Sequence, residues 1–123
     1  MEEDKYGELC NRIFGTSKGI AAVGVILDDQ HLVYKTNEVF QLPEDRERLR
    51  HMLKQSYIMV NEPISNEDFF GKVGYVMIHH ETYDIFLFRM ASDPLKILGV
   101  VVTPREYDHN EFVEAVTYAL LAL

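Results

Sequence analysis

The sequence predicts an α+β fold: a five-stranded antiparallel sheet sandwiched by helices, in the order α-β-β-α-β-β-β-α. Three observations carry this expectation. Residues 19–27 are apolar on both alternating faces, as a strand covered on both sides requires. Three further β-rich stretches follow one another between residues 72 and 103 with only turn-length gaps, which antiparallel neighbours permit and parallel ones do not. Segments with helical spacing open the chain, separate the two groups of strands and close the chain.

Each element has its own cause. Tyr6, Leu9, Cys10, Ile13 and Phe14 recur at the spacing of one buried helical stripe within residues 3–14, and Gly15 stops that helix. The strand at 19–27 should be central. Asp28-Asp29-Gln30 is a turn signal, and Leu32 to Thr36 alternates as a half-exposed edge strand does. Pro43-Glu44-Asp45 suits the first turn of a second helix, which should run to about Val60. Residues 61–71 read as a loop, with Phe69 and Phe70 pinning it to the body. Strands are expected over 72–80, 83–90 and 95–103. Glu81 and Thr82 form the tight turn between the first two, and Ser92-Asp93-Pro94 forms the next turn. Pro104 ends the last strand, and Asp108 with Glu111 caps a closing helix carrying Phe112, Val113, Val116 and Leu120.

At 123 residues the chain is long enough for one hydrophobic core and short for two, so a single domain over 1–123 is expected. Hydrophobic residues at 47% and charged residues at 26% fit a globular protein rather than a disordered one. Asp plus Glu outnumber Lys plus Arg by 20 to 12, a field that repels phosphate backbones and disfavours nucleic-acid and anionic-membrane partners. The longest apolar runs, such as Ile97 to Val102, fall far short of a membrane span, and the amino terminus is acidic, unlike a signal peptide. A cytoplasmic location is expected. The single cysteine, Cys10, has no internal disulfide partner and reads as a small buried apolar residue.

The chemical constellations are sparse. His79-His80-Glu81, with Asp84 and His109, suggests a metal cluster, but consecutive strand residues point to opposite sheet faces, so His79 and His80 do not reach one ion. Ser17, Ser56, Ser65, Ser92 and Cys10 lie in no nucleophile-elbow context. Gly15 and Gly19 bracket Thr16-Ser17-Lys18 ahead of a strand, the reverse of a phosphate-binding loop. The expectation is therefore no catalytic residue, no cofactor and no metal. Arg46, Arg48, Arg50, His51 and Lys54 read as one basic helix face, either solvated or, at Arg46, Arg50 and Lys54, a candidate patch for an acidic partner. Gly71, Gly74 and Gly99, in or beside strands, suggest close helix packing. Val76, Ile78, Ile85, Phe86, Leu87 and Phe88 read as core.

The run Gly19-Ile20-Ala21-Ala22-Val23-Gly24-Val25-Ile26-Leu27-Asp28, turning into Leu32-Val33, resembles the first strand and hairpin of the roadblock (dynein light chain) family. The element order resembles that family across nearly the whole chain. Profilin-like and longin-like domains arrange a similar set of elements, and the alternative they imply is a sensor-like domain holding a small molecule. The roadblock resemblance implies two helices on one sheet face and one on the other, side-by-side homodimerisation, and docking onto small GTPases or multiprotein scaffolds without catalysis. It also implies that the second helix and the strand at 72–80 form the dimer surface. With Leu49 at zero on a helical wheel, Leu53, Ser56, Tyr57 and Val60 face the sheet and Ile58 falls at about 180°, beside His51 and Lys54. Ile58, His51, Met59, Val73, Tyr75 and Met77 are thus the expected interface residues.

Overall fold

The apolar segment near the amino terminus becomes strand β1 (Ile20–Ile26), and every residue in it is buried. In the computed structural model, which describes residues 2–90, 93 and 95–122, β1 pairs antiparallel with β2 (Leu32–Thr36) on one side and with β5 (Ile97–Val102) on the other. The sheet continues through β4 (Asp84–Arg89) to β3 (Tyr75–His79), giving the order β2-β1-β5-β4-β3, all antiparallel. β2 and β3 are its edges. The last strand in the chain therefore occupies the middle of the sheet, between β1 and β4.

Strand alternation sorts the core into two layers. Val23, Val25, Phe86, Phe88, Leu98 and Val100 lie under helix α1 (Glu2–Phe14) and the closing helix α4 (His109–Leu121), which contribute Leu9, Ile13, Phe112 and Val116. The opposite face, with Ile26, Leu87 and Ile97, meets Leu53 and Val60 of helix α2 (Arg46–Asn61), and Leu49 and Tyr57 pack against the same cluster. Two helices on one face and one on the other is the arrangement the resemblance implies.

Local signals act as their chemistry dictates. The Asp45 carboxylate caps α2 by accepting from the Glu47 amide at 3.0 Å, and Asp108 caps α4 by accepting from the Glu111 amide at 2.9 Å. The β3–β4 hairpin turns through Glu81 and Thr82, closed by His80 N donating to Tyr83 O at 2.9 Å. Lys96 N donates to Asp93 O at 3.0 Å in the next turn, where the expected Ser92 and Pro94 lie outside the described residues.

Four expectations change. Residues 61–71 are helical for most of their length: a 3-10 segment over Glu62–Asn66 leads into the short helix α3 (Glu67–Phe70). Pro63 suits an opening turn that needs no amide from it, and Gly71, at φ 90°, adopts a backbone closed to most other residues and stops the helix. Phe69 and Phe70 do not pin this segment. They are 81% and 80% exposed and touch each other, ring centroids 4.7 Å apart. Glu67 holds the segment instead, its carboxylate accepting from the Val73 amide at 2.7 Å and lying 3.5 Å from Arg89. That amide is consequently not in a ladder, and β3 begins only at Tyr75 rather than at residue 72.

The fourth change concerns glycine. Close helix packing is not what Gly71, Gly74 and Gly99 serve: a Cβ would meet nothing within 4 Å at the first two, and only Leu87 and the Gly24 carbonyl oxygen at Gly99. Gly19 is crowded by backbone, because a Cβ there would lie 2.8 Å from the carbonyl oxygen of Glu106, and Gly24 by a side chain, with Leu32 Cδ1 2.9 Å away.

Candidate functional site

The α2 layer holds most of the residues singled out in the sequence. Ile58 stands on the solvent crest of α2 and is 62% exposed. Phe69 and Phe70 follow one helical segment later, and the backbone of edge strand β3 comes next in the chain. Exposed aromatics and an open strand edge are features that invite association.

The six expected interface residues do not share one side. Alternation places Tyr75 and Met77 on the α1/α4 face of the sheet, away from Ile58. The Tyr75 ring packs against Phe86 and Phe88, with centroids 5.7 and 5.5 Å away, and its hydroxyl bonds Nε2 of His109 at 2.8 Å. Val73 lies ahead of β3, its amide held by Glu67. His51 and Met59 lie on a third flank, where α2 overlooks the bare part of the sheet. On its α2 side β3 presents Val76 and Ile78, which pack on the cluster beneath that helix.

Nor do the basic residues of α2 form one face. Arg50 Nε pairs with Asp29 Oδ2 at 2.9 Å and Lys54 Nζ stands 3.8 Å from the same oxygen, so one carboxylate of the β1–β2 turn offsets part of that patch. Arg48 and His51 project from the other flank. Arg46 is exposed in the first turn of the helix.

On that other flank lies a groove of about 480 Å³. β5 is the middle strand, yet Gly99 and Val101 on its α2 side are only half-buried. α2 packs over Ile26, Leu87 and Ile97, with Val76, Ile78 and Ile85 against the same cluster, and leaves Gly99 and Val101 partly uncovered. Gly99 gives the floor its depth, whereas its register partner Gly24 is covered by the Leu32 side chain, which a Cβ there would meet at 2.9 Å. Met52 and Met59 form one wall; Phe40, in edge-to-face contact with Tyr83 at 5.4 Å, forms the other. Ile78, Ile85 and Leu87, expected as core, line this groove as well as the cluster beneath α2.

Behind the sheet lies the principal polar cluster. Asp84 is the buried charged residue among those described, 4% exposed. One of its carboxylate oxygens bonds His79 Nδ1 and the other accepts from the Tyr107 hydroxyl at 2.9 Å. Burial raises the Tyr107 phenol pKa above its ordinary value, and the bond to Asp84 raises it further. Both carboxylate oxygens are engaged, so the cluster ties the β3–β4 hairpin to the loop ahead of α4. His80 points the other way and lines the groove, as alternation requires. Among the described residues no group of three or more His, Cys, Asp and Glu is placed to hold a metal ion. Cys10 is buried, and desolvation pushes its thiol up to about 11.

Sequence reasoning missed the exposure of the Phe69–Phe70 pair, the groove and the Tyr107–Asp84 bond. The groove alone left a readable signal: Ala22 and Gly24 alternate on one face of β1, and the apolar run of β5 is broken at Gly99.

No family model matches the chain, and no curated protein does. Solved structures do. A Roadblock/LC7 domain from Streptomyces avermitilis superposes with a TM-score of 0.69 at 13% identity, covering 94% of this chain and 92% of that one. MglB of Myxococcus xanthus also reaches 0.69, at 11% identity over 97% of this chain and 84% of its own. The complex of LokiProfilin1 with rabbit actin gives 0.53 at 14% identity over 94% and 92%. The chain has the roadblock fold, and the profilin likeness is the weaker one.

Proposed function

We propose that the protein is a non-catalytic, cytoplasmic interaction module that homodimerises through the α2–β3 side and docks a protein partner, a small GTPase or a scaffold component, as the roadblock fold suggests. The observation that carries this reading is the exposed run Ile58, Phe69 and Phe70 leading into the open β3 edge. These side chains gain little from their own chain, so burial against a second copy recovers apolar area at roughly 25 cal/mol per Å².

Sedimentation equilibrium tests the dimer. The wild-type chain is expected to be dimeric and Ile58→Glu monomeric, with the circular dichroism spectrum unchanged. A wild-type chain that stays monomeric at high concentration sinks the reading; a mutant that stays dimeric moves the interface off the α2 crest. Charge reversal at Arg50 and Lys54, assayed against a captured GTPase, then asks whether that flank contacts the partner.

A further inference from the structure

The groove on the other flank of α2 has a composition that the dimer does not explain. The chain carries 20 Asp and Glu residues and a net charge of −8, yet no carboxylate lines this groove, while Arg48, His51 and His80 do. Arg50 and Lys54 are occupied by Asp29, whereas Arg48 has no ion-pair partner among the described residues. Glu44 lines an adjoining recess, beside Gln30 and Gln41, that shares Leu32, Tyr34 and Phe40 with the groove. Between the cationic rim and the Phe40–Tyr83 wall the surface is apolar and flanked by Met52 and Met59, side chains that adapt to flexible ligands. At about 480 Å³ the volume falls within the range of roughly 300–1,000 Å³ typical of small-molecule sites.

We propose that this groove binds a single long-chain carboxylate, its alkyl tail lying over Gly99 and Val101 and its head group meeting Arg48. The tail replaces water over half-buried strand residues, and the planar guanidinium suits a carboxylate held by two parallel hydrogen bonds. A cationic amphiphile would meet like charge at the rim, and a neutral one would leave Arg48 without a counterion. The site stands on the sheet face of α2 and does not depend on dimerisation.

Titration of the full chain with dodecanoate, kept below micelle-forming concentration and followed by amide and methionine methyl chemical shifts, tests this. One-to-one saturation is expected, with the largest changes at Gly99, Val101, Met52 and Met59. Dodecanol, and dodecanoate with Arg48→Glu, should each bind about tenfold more weakly, the scale of one charge-assisted pair. Gly99→Val fills the floor and should abolish binding; a Cβ there makes only ordinary contact with Leu87, 3.6 Å away. Arg48 is exposed, so its variant remains informative if Gly99→Val fails to fold. Absence of saturation up to about 1 mM, the edge of weak affinity, overturns the proposal. So does unchanged affinity in Arg48→Glu, or binding seen only with phosphatidylglycerol vesicles. If a second copy fills the groove, Gly99→Val will turn a dimer into a monomer and dodecanoate will bind neither form, which also overturns it.

Discussion

The Tyr107 hydroxyl donates to the Asp84 carboxylate at 2.9 Å, joining the loop ahead of α4 to the first residue of β4 across 23 positions of sequence. Tyr107→Phe leaves one oxygen of a buried carboxylate without its donor, and such a loss costs about 1–3 kcal/mol. Chemical denaturation at neutral pH should show a destabilisation of that order. A change below the error of the extrapolation would mean that water replaces the phenol.

The same contact gives a pH dependence. Tyr107 holds its proton more tightly folded than unfolded, because of burial first and the Asp84 bond second. Its stabilising contribution is therefore complete below about pH 10, the ordinary tyrosine value, and is lost as pH rises above it. Tyr57, raised by burial, acts in the same direction, and so does Cys10. The unfolding free energy should hold level to about pH 8.5, where an ordinary thiol begins to titrate, and then fall; Tyr107→Phe should flatten the fall above pH 10. Parallel profiles for wild type and variant would contradict this.

Gly19 and Gly99 should respond oppositely to the same change. Gly19→Ala drives a Cβ to 2.8 Å from a backbone carbonyl oxygen, which no rotamer relieves, and should destabilise by about 1–3 kcal/mol. Gly99→Ala adds a Cβ at ordinary contact distance in a strand interior and should be neutral or stabilise by up to about 1 kcal/mol. Thermal melts of the two variants settle the ordering.

Cys10 should be inert in the folded chain. Its thiol is buried and its pKa is pushed up to about 11 by desolvation, so little thiolate exists at neutral pH. Modification by a disulfide reagent should proceed only as fast as the protein opens, and denaturant should accelerate it sharply. Rapid stoichiometric reaction of the native protein would show that α1 detaches readily.

Replacing both Phe69 and Phe70 by serine should change monomer stability by less than about 0.5 kcal/mol, because exposed side chains contribute little to the fold. The double variant should, however, weaken self-association in sedimentation. A large drop in melting temperature would place these rings in the core after all.

What was legible in the sequence follows from the range of the forces involved. The α1 stripe Tyr6, Leu9, Cys10 and Ile13 was readable because helical spacing is local, as was the Asp108 cap, whose partner lies three residues on. The 81–82 turn was readable for the same reason. The fate of Phe69 and Phe70 was not, since it depends on Glu67 reaching Arg89, 22 residues away. Likewise the five basic residues of α2 share a short stretch of sequence, but Asp29 in an earlier turn decides which flank is neutralised. The groove depends on where α2 settles on the sheet, and no helical wheel encodes that placement.

The central position of β5 has a consequence for how the chain comes into being. β1 is complete at residue 26, but one of its two neighbours is not synthesised until residues 97–102. Until then a wholly apolar strand has β2 as its only possible partner, and α1 has no α4 beside it. Pairing β1 with β5 also closes a loop of some seventy residues, the kind of non-local contact that slows folding. The β3–β4–β5 meander, by contrast, is built from local hairpins and needs no residue before 75. Assembly would then run from the carboxyl-terminal half backwards: the later strands form a template, and the earliest strand joins last, zipping onto the open edge of β5.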